Sequence, residues 1–336
     1  MTRTAELSKA ELAQHIADDL IAHLDEWYSL PETFDNELDR QIHEWYANAP
    51  RVFPKRPYFS PSAASACPRE LYYKLKREPR DVIRRQPHQG RWQEIGTSVG
   101  DMIQRTILAI ERNFEEKTGK SPRFRFERNE DGTPMFEEFA KKNHPVKFAG
   151  HTFYLYGTCD GIMEYSLDGE KFRVGLEIKS KQTTPAKTSE YSMRGPEEKH
   201  VQQCACYAEM YDVDMYVILY VNTAHKSWNM TEEDYEKNPD IRAFGVAITD
   251  EMKAEIFDYF TDVLESVDRG EPLPLDLDKW AFNGFKQVIA QELTREELEE
   301  LRKEVFRIQN SSLPEFKKRG ARLALAEIEK LREAEY

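Results

Sequence analysis

The chain has 336 residues, with 48 Lys and Arg against 61 Asp and Glu, a net charge of −13. Its length suits about two domains of ~150 residues, and the 40% apolar share suffices for a core, which excludes general disorder. There is no run of about 18 apolar residues to span a membrane, no basic and apolar leader over residues 1–6, and only four cysteines, so a protein of the reducing cytoplasm is expected.

Residues 1–50 hold 11 acidic and three basic residues, net −8, and read as two helices. Ser8 with Glu11 forms a capping box, followed by Leu12, Ile16, Leu20, Ile21 and Leu24 at helical spacing. A second helix is expected over 34–46, stopping before Pro50. Residues 69–91 reverse the sign. Arg69, Lys74, Lys76, Arg77, Arg80, Arg84, Arg85 and Arg91 face only Glu70, Glu78 and Asp81, net +5. With Tyr72 and Tyr73 interleaved, the stretch has the make-up of a phosphate-tracking surface. Alternatively it is a solvated helix face and loop. The spacing of Ile95, Val99, Met102, Ile103, Ile107 and Ile110 predicts a helix over 92–116, and 117–145 is polar and irregular, with a short helix.

Strands follow. Residues 146–156 alternate loosely and are aromatic-rich. Asp168-Gly169 is a turn signal between strands at 157–165 and 172–178. A polar loop leads to a helix at 197–212, then a continuous apolar strand at 215–221 and another strand at 241–248. An amphipathic helix is expected over 251–268, ended by Gly270, Pro272 and Pro274. Residues 292–336 carry 11 acidic and 10 basic residues and read as two helices broken at Pro314. The order of elements predicts an α/β core with helical extensions at both ends.

The sharpest chemical feature is Asp160-Gly161, the hairpin, then Leu176-Glu177-Ile178-Lys179. Alternation projects Glu177 and Lys179 to one face and Leu176 and Ile178 to the other. Asp160 starts the antiparallel partner strand and can meet Glu177. Two carboxylates with one ammonium suit a hard cation such as Mg²⁺ and an activated water. The plainer alternative is a turn aspartate beside a surface Glu–Lys alternation. Downstream, His200, Gln203 and Tyr207 are spaced three and four apart and share a helix face, either turned into the same cleft or simply half-exposed.

Asp160, Glu177-x-Lys179 and Gln203-x-x-x-Tyr207, in this order, resemble the PD-(D/E)XK nuclease superfamily, and within it the RecB-type exonuclease group. The segment from Ser60 through Cys67-Pro-Arg69 to Tyr73 is similar to the opening of its CRISPR-associated, AddB-like and phage-encoded branches. Gly96 to Gln104 is similar to their G-x-x-x-H helix. The resemblance implies a restriction-endonuclease-like α/β core with a mixed central sheet flanked by helices. Its bounds would be 58–270, between an acidic helical extension, 1–57, and a charged helical extension, 271–336. It implies that Asp160, Glu177 and the Ile178 carbonyl hold Mg²⁺ or Mn²⁺ and that Lys179 handles the attacking water. Gln203 and Tyr207 would position a strand end. Arg69 would contact phosphate, with Lys74, Lys76, Arg77, Arg84, Arg85 and His200 as further DNA-binding residues. The family's helix His falls on Gly100, which leaves Asp101 as a candidate ligand, although one residue turns about 100° around a helix. No cysteine follows Cys206, so no four-thiolate iron–sulfur cluster is expected.

The expectation is therefore a metal-dependent DNA exonuclease of recombination, repair or DNA degradation, of a kind that phages also encode, in the cytoplasm of a bacterial or phage-infected host cell. The alternative is a weak or inactive nuclease fold that binds DNA or docks a partner. The acidic residues 1–50 could mimic nucleic acid, and the terminal helices could serve a homo-oligomer or a protein partner.

Overall fold

A computed structural model describes residues 7–82 and 84–333. Residues 1–6, where no leader is expected, lie outside the described residues. The described helices are α1 (Lys9–Tyr28), α2 (Asn36–Ala47), α3 (Pro68–Lys76), α4 (Pro87–Thr118), α5 (Glu137–Ala140), α6 (Glu198–Tyr211), α7 (Glu232–Lys237), α8 (Asp250–Arg269), α9 (Lys286–Glu292), α10 (Arg295–Gln309) and α11 (Glu315–Glu333). The strands are β1 (Tyr58–Phe59), β2 (Phe124–Phe126), β3 (Lys142–Phe148), β4 (His151–Gly157), β5 (Gly161–Leu167), β6 (Glu170–Lys181), β7 (Met215–Asn222) and β8 (Ile241–Ala247). Among the described residues no helix is long and apolar enough to cross a membrane.

The chain forms two units. The first comprises 1–62, 86–147 and 152–256. Its centre is a five-stranded mixed sheet in the order β2-β5-β6-β7-β8, in which only β6 and β7 run parallel. A three-stranded sheet has the order β1-β4-β3. This mixed α/β arrangement, with helices flanking the sheets, is consistent with the restriction-endonuclease-like core expected from the sequence. Val174, Leu176 and Ile178 of β6 and Met215, Val217 and Leu219 of β7 pack with Ile16, Leu20 and Leu24 of α1 and Ile103, Ile107 and Ile110 of α4. The alternate residues of β6 and β7 face α6, which packs on both strands. Covered on both sides, β7 is buried at all eight positions, which is why its sequence is a continuous apolar run rather than an alternation.

The helix α1 begins at the Ser8–Glu11 capping box and packs on β8 and β7. Its backbone presses so close to β8 that a Cβ on Gly245 would lie 2.0 Å from the carbonyl of Ala13, and the Gly245 amide donates to Gln14 at 3.1 Å. Only glycine admits that approach. The expected boundary at residue 57 is thereby corrected: α1 is a layer of the core, not an extension. The acidic count described its solvent side, while the apolar stripe of Ile16, Ala17 and Leu20, at most 1% exposed, is what the fold uses.

The second unit comprises 63–85, 148–151 and 257–336. Cys67, Tyr72 and Tyr73 of its first segment share a core with Trp280, Phe285, Ile289, Leu301 and Ile328. The expected boundary at 271 is corrected too, because residues 63–85 belong with the C-terminal helices. Trp280 donates to Glu327 at 2.9 Å and Tyr73 to Glu292 at 2.7 Å, so each buried ring has a partner for its polar end.

Candidate active site

The site is built by the β5–β6 hairpin. Asp168 and Gly169 take positive φ, +51° and +85°, which closes a two-residue turn that suits Asp-Gly. That turn fixes the register, pairing Gly161 with Leu176, so Asp160 lies level with Glu177. Beyond the last strand pair the amide of Ile178 has no β5 partner. Asp160 Oδ2 accepts from it at 2.6 Å, which satisfies the amide and aims the carboxylate. From α4, Gln104 Nε2 donates to the Asp160 carbonyl at 2.8 Å and holds the residue from behind.

Glu177 is 2% exposed and forms an ion pair with Lys179. Lys179 Nζ also donates to Gln203 Oε1 at 3.2 Å, and Gln203 Nε2 donates to the Tyr207 hydroxyl at 3.3 Å. Glu177, Lys179, Gln203 and Tyr207 thus form one continuous polar array, with Asp160 level with Glu177 at its head. Leu176 and Ile178 turn into the core, as the alternation requires.

Electrostatics make this array unusual. Burial raises the pKa of Asp160, opposed by the Ile178 amide and the Lys179 charge. Glu177 is also raised, first by burial and then by the negative charge of Asp160. Burial alone would lower Lys179, but Glu177 and Asp160 outweigh it and hold the ammonium above the usual lysine range. Two carboxylates share one cation in a desolvated place, and a divalent ion would relieve that imbalance. The all-oxygen donors, two carboxylates with the Ile178 carbonyl beside them, fit Mg²⁺ or Mn²⁺, which keep several waters and need few protein ligands. Among the described residues no three of His, Cys, Asp and Glu gather as a ligand set.

Several expected site residues lie elsewhere. Arg69 is 1% exposed: its Nε donates to the Leu273 carbonyl at 2.7 Å and it pairs with Glu297, so it braces the second unit and presents nothing to phosphate. Tyr72 and Tyr73 are buried as well, so the interleaved aromatics are packing residues. Lys74, Lys76, Arg77, Arg84 and Arg85 belong to the second unit, with all but the half-buried Lys74 exposed. His200 shares the helix face of Gln203 but is buried, with Nδ1 2.9 Å from the Tyr220 hydroxyl. Burial and the nearby Lys179 hold it well below the histidine range, so it is neutral and structural rather than a DNA contact. Asp101 turns outward to Arg105 at 2.8 Å and does not join the carboxylate pair. Its helix position, one residue beyond Gly100, points the side chain away.

Gln104 and Glu137 approach the site without having been expected there. Glu137 lies in the segment that reads as irregular, and only its contacts across the fold reveal it. The exposed Trp228 and His225 line a separate cavity of about 530 Å³ with Asn222 and Tyr235, which none of the catalytic candidates enters. Cys67, Cys159, Cys204 and Cys206 are all free and buried.

No family model matches the sequence, and no curated protein matches it. Among solved structures the chain is similar to SSO0001, at 14% identity and a TM-score of 0.39, covering 76% of this chain and 95% of the other. It is similar to an alkaline exonuclease from Laribacter hongkongensis at 12% identity and a TM-score of 0.37, covering 68% and 93%; that enzyme is also known in complex with dAMP. A phage-related exonuclease from Haemophilus somnus is similar at 12% identity and a TM-score of 0.33, covering 62% and 81%.

Proposed function

We propose that this protein is a Mg²⁺- or Mn²⁺-dependent deoxyribonuclease that hydrolyses phosphodiester bonds from the ends of linear DNA. The observation that carries the proposal is the level placement of Asp160 and Glu177 around Lys179 in a buried array. Asp160, Glu177 and the Ile178 carbonyl would hold the cation. When bound, it supplies a Lewis acid that lowers the pKa of water and screens phosphate charge. The Ile178 amide keeps Asp160 aimed. Lys179 stays charged, and its donors serve the attacking water or the charge developing on phosphate. Gln203 fixes the lysine, and with Tyr207 it offers amide and hydroxyl groups to orient the terminal nucleotide.

The test is digestion of end-labelled linear DNA and of closed circular DNA with each metal. Nucleotide release from linear DNA, stopped by EDTA, with the circle spared, supports the exonuclease. Intact linear single- and double-stranded DNA with both metals hands the assignment to a nuclease fold that only binds DNA or docks a partner, the reading favoured by the glycine, Gly100, at the place of the family's helix His. Recombination, repair or DNA degradation are the processes that such an activity would serve.

A further inference from the structure

Glu137 lies outside the motif, yet its backbone is fastened to the residues just before Asp160. Its amide donates to the Cys159 carbonyl at 3.0 Å, and the Thr158 hydroxyl donates to its own carbonyl. The residue is held at φ +44°, a left-handed conformation that side chains rarely adopt. Its carboxyl reaches α4 where that helix lacks a side chain: a Cβ on Gly100 would lie 3.9 Å from Glu137 Oε1. The Tyr46 hydroxyl of α2 donates to Oε2 at 3.2 Å and holds the carboxyl from the other side.

One turn beyond Gly100 on α4 stands Gln104. It is 1% exposed and donates to the Asp160 carbonyl at 2.8 Å. Its Oε1 is buried with no partner among the described residues. Burial raises the pKa of Glu137, and the charges of Asp160 and Asp101 push it the same way. A third carboxyl facing an overcharged pair, beside an unanswered buried acceptor, is a costly arrangement without a cation.

We propose that Glu137 is a positioning residue for the cation held by Asp160 and Glu177: through its backbone bonds to Thr158 and Cys159 it fixes the main chain that leads into Asp160, and its charge strengthens the field that draws the cation in. The proposal rests on the metal-dependent reading of the same site. Glu137 acts through its backbone ties and through space rather than as a ligand.

The test is calorimetric titration of the full chain with Mn²⁺ alone, without DNA. Glu137→Gln keeps the shape and the Tyr46 contact but removes the charge. Its Mn²⁺ affinity should fall about tenfold, the loss typical when a group supporting metal ligands is changed, with an unaltered circular dichroism spectrum. Tyr46→Phe, which frees the carboxyl without removing it, should weaken binding a few-fold and serves if Glu137→Gln fails to fold. Wild-type Mn²⁺ affinity in folded Glu137→Gln, or in Tyr46→Phe where that variant stands in, overturns this inference and leaves the nuclease reading intact. A wild-type chain that binds no Mn²⁺ overturns both.

Discussion

Arg69 and Glu177 are each at most 2% exposed, and both are ionisable. Around Arg69 the charges close. Its guanidinium meets one carboxylate and one carbonyl, and although burial pushes Glu297 up, Arg69 and the Thr294 cap pull it below the usual carboxylate range. Around Glu177 they do not close, because Asp160 adds a second negative charge to one ammonium and both carboxyls are raised. Burial of charge is therefore no sign of function by itself. The sign is a buried excess that only a ligand can balance.

The sharpest way to break this comparison is to change the charge balance of the array. Lys179→Ala and Asp160→Asn should lower nucleotide release about 10³-fold or more while leaving the fold intact, read by end-labelled digestion and circular dichroism. Near-normal activity in either would place the chemistry elsewhere. Arg69→Ala should empty a buried site and leave the Leu273 carbonyl without its donor, costing about 2–5 kcal/mol of stability in urea melts, whereas a stable variant with weakened DNA affinity would restore Arg69 to the phosphate-binding role. Leu20→Ala should cost about 2–5 kcal/mol, since α1 is a core layer; a neutral effect would return residues 1–57 to the status of an extension.

The smallest effect is the most diagnostic of electrostatic excess. A raised carboxyl pKa means that the folded state holds its proton more tightly than the unfolded chain does. Stability therefore declines as pH rises above the unfolded value, about 3.9 for Asp. In EDTA, Asp160→Asn should melt higher than wild type at about pH 8, with the gap closing as pH falls towards about 4. An Asp160→Asn chain that melts lower at all pH values would mean that the carboxylate is a net structural asset.

Much of this was legible along the chain because it depends on local spacing. The Asp-Gly turn set the hairpin, the hairpin set the register, and the register put Asp160 opposite Glu177. The capping box at Ser8 and the apolar run of β7 were equally local signals. The short edge strand β2 was not legible, because three residues in a polar stretch have too short a period to detect. Arg69 of the basic stretch misled for a related reason: a count of charges does not say which side chain points inward. Arg69 and His200 carry the right chemistry at the right spacing, yet both turn into packing.

The sequence by itself determined the α/β class, the hairpin and the Asp160–Glu177–Lys179 constellation, since two-residue alternation and turn chemistry act over a few residues. Only the tertiary structure decided that α1 is core, that residues 63–85 join the C-terminal helices, and that Tyr46, Gln104 and Glu137 reach the site. Those contacts bridge segments tens of residues apart, and they follow from which faces the sheet leaves to be covered, a quantity no local pattern encodes.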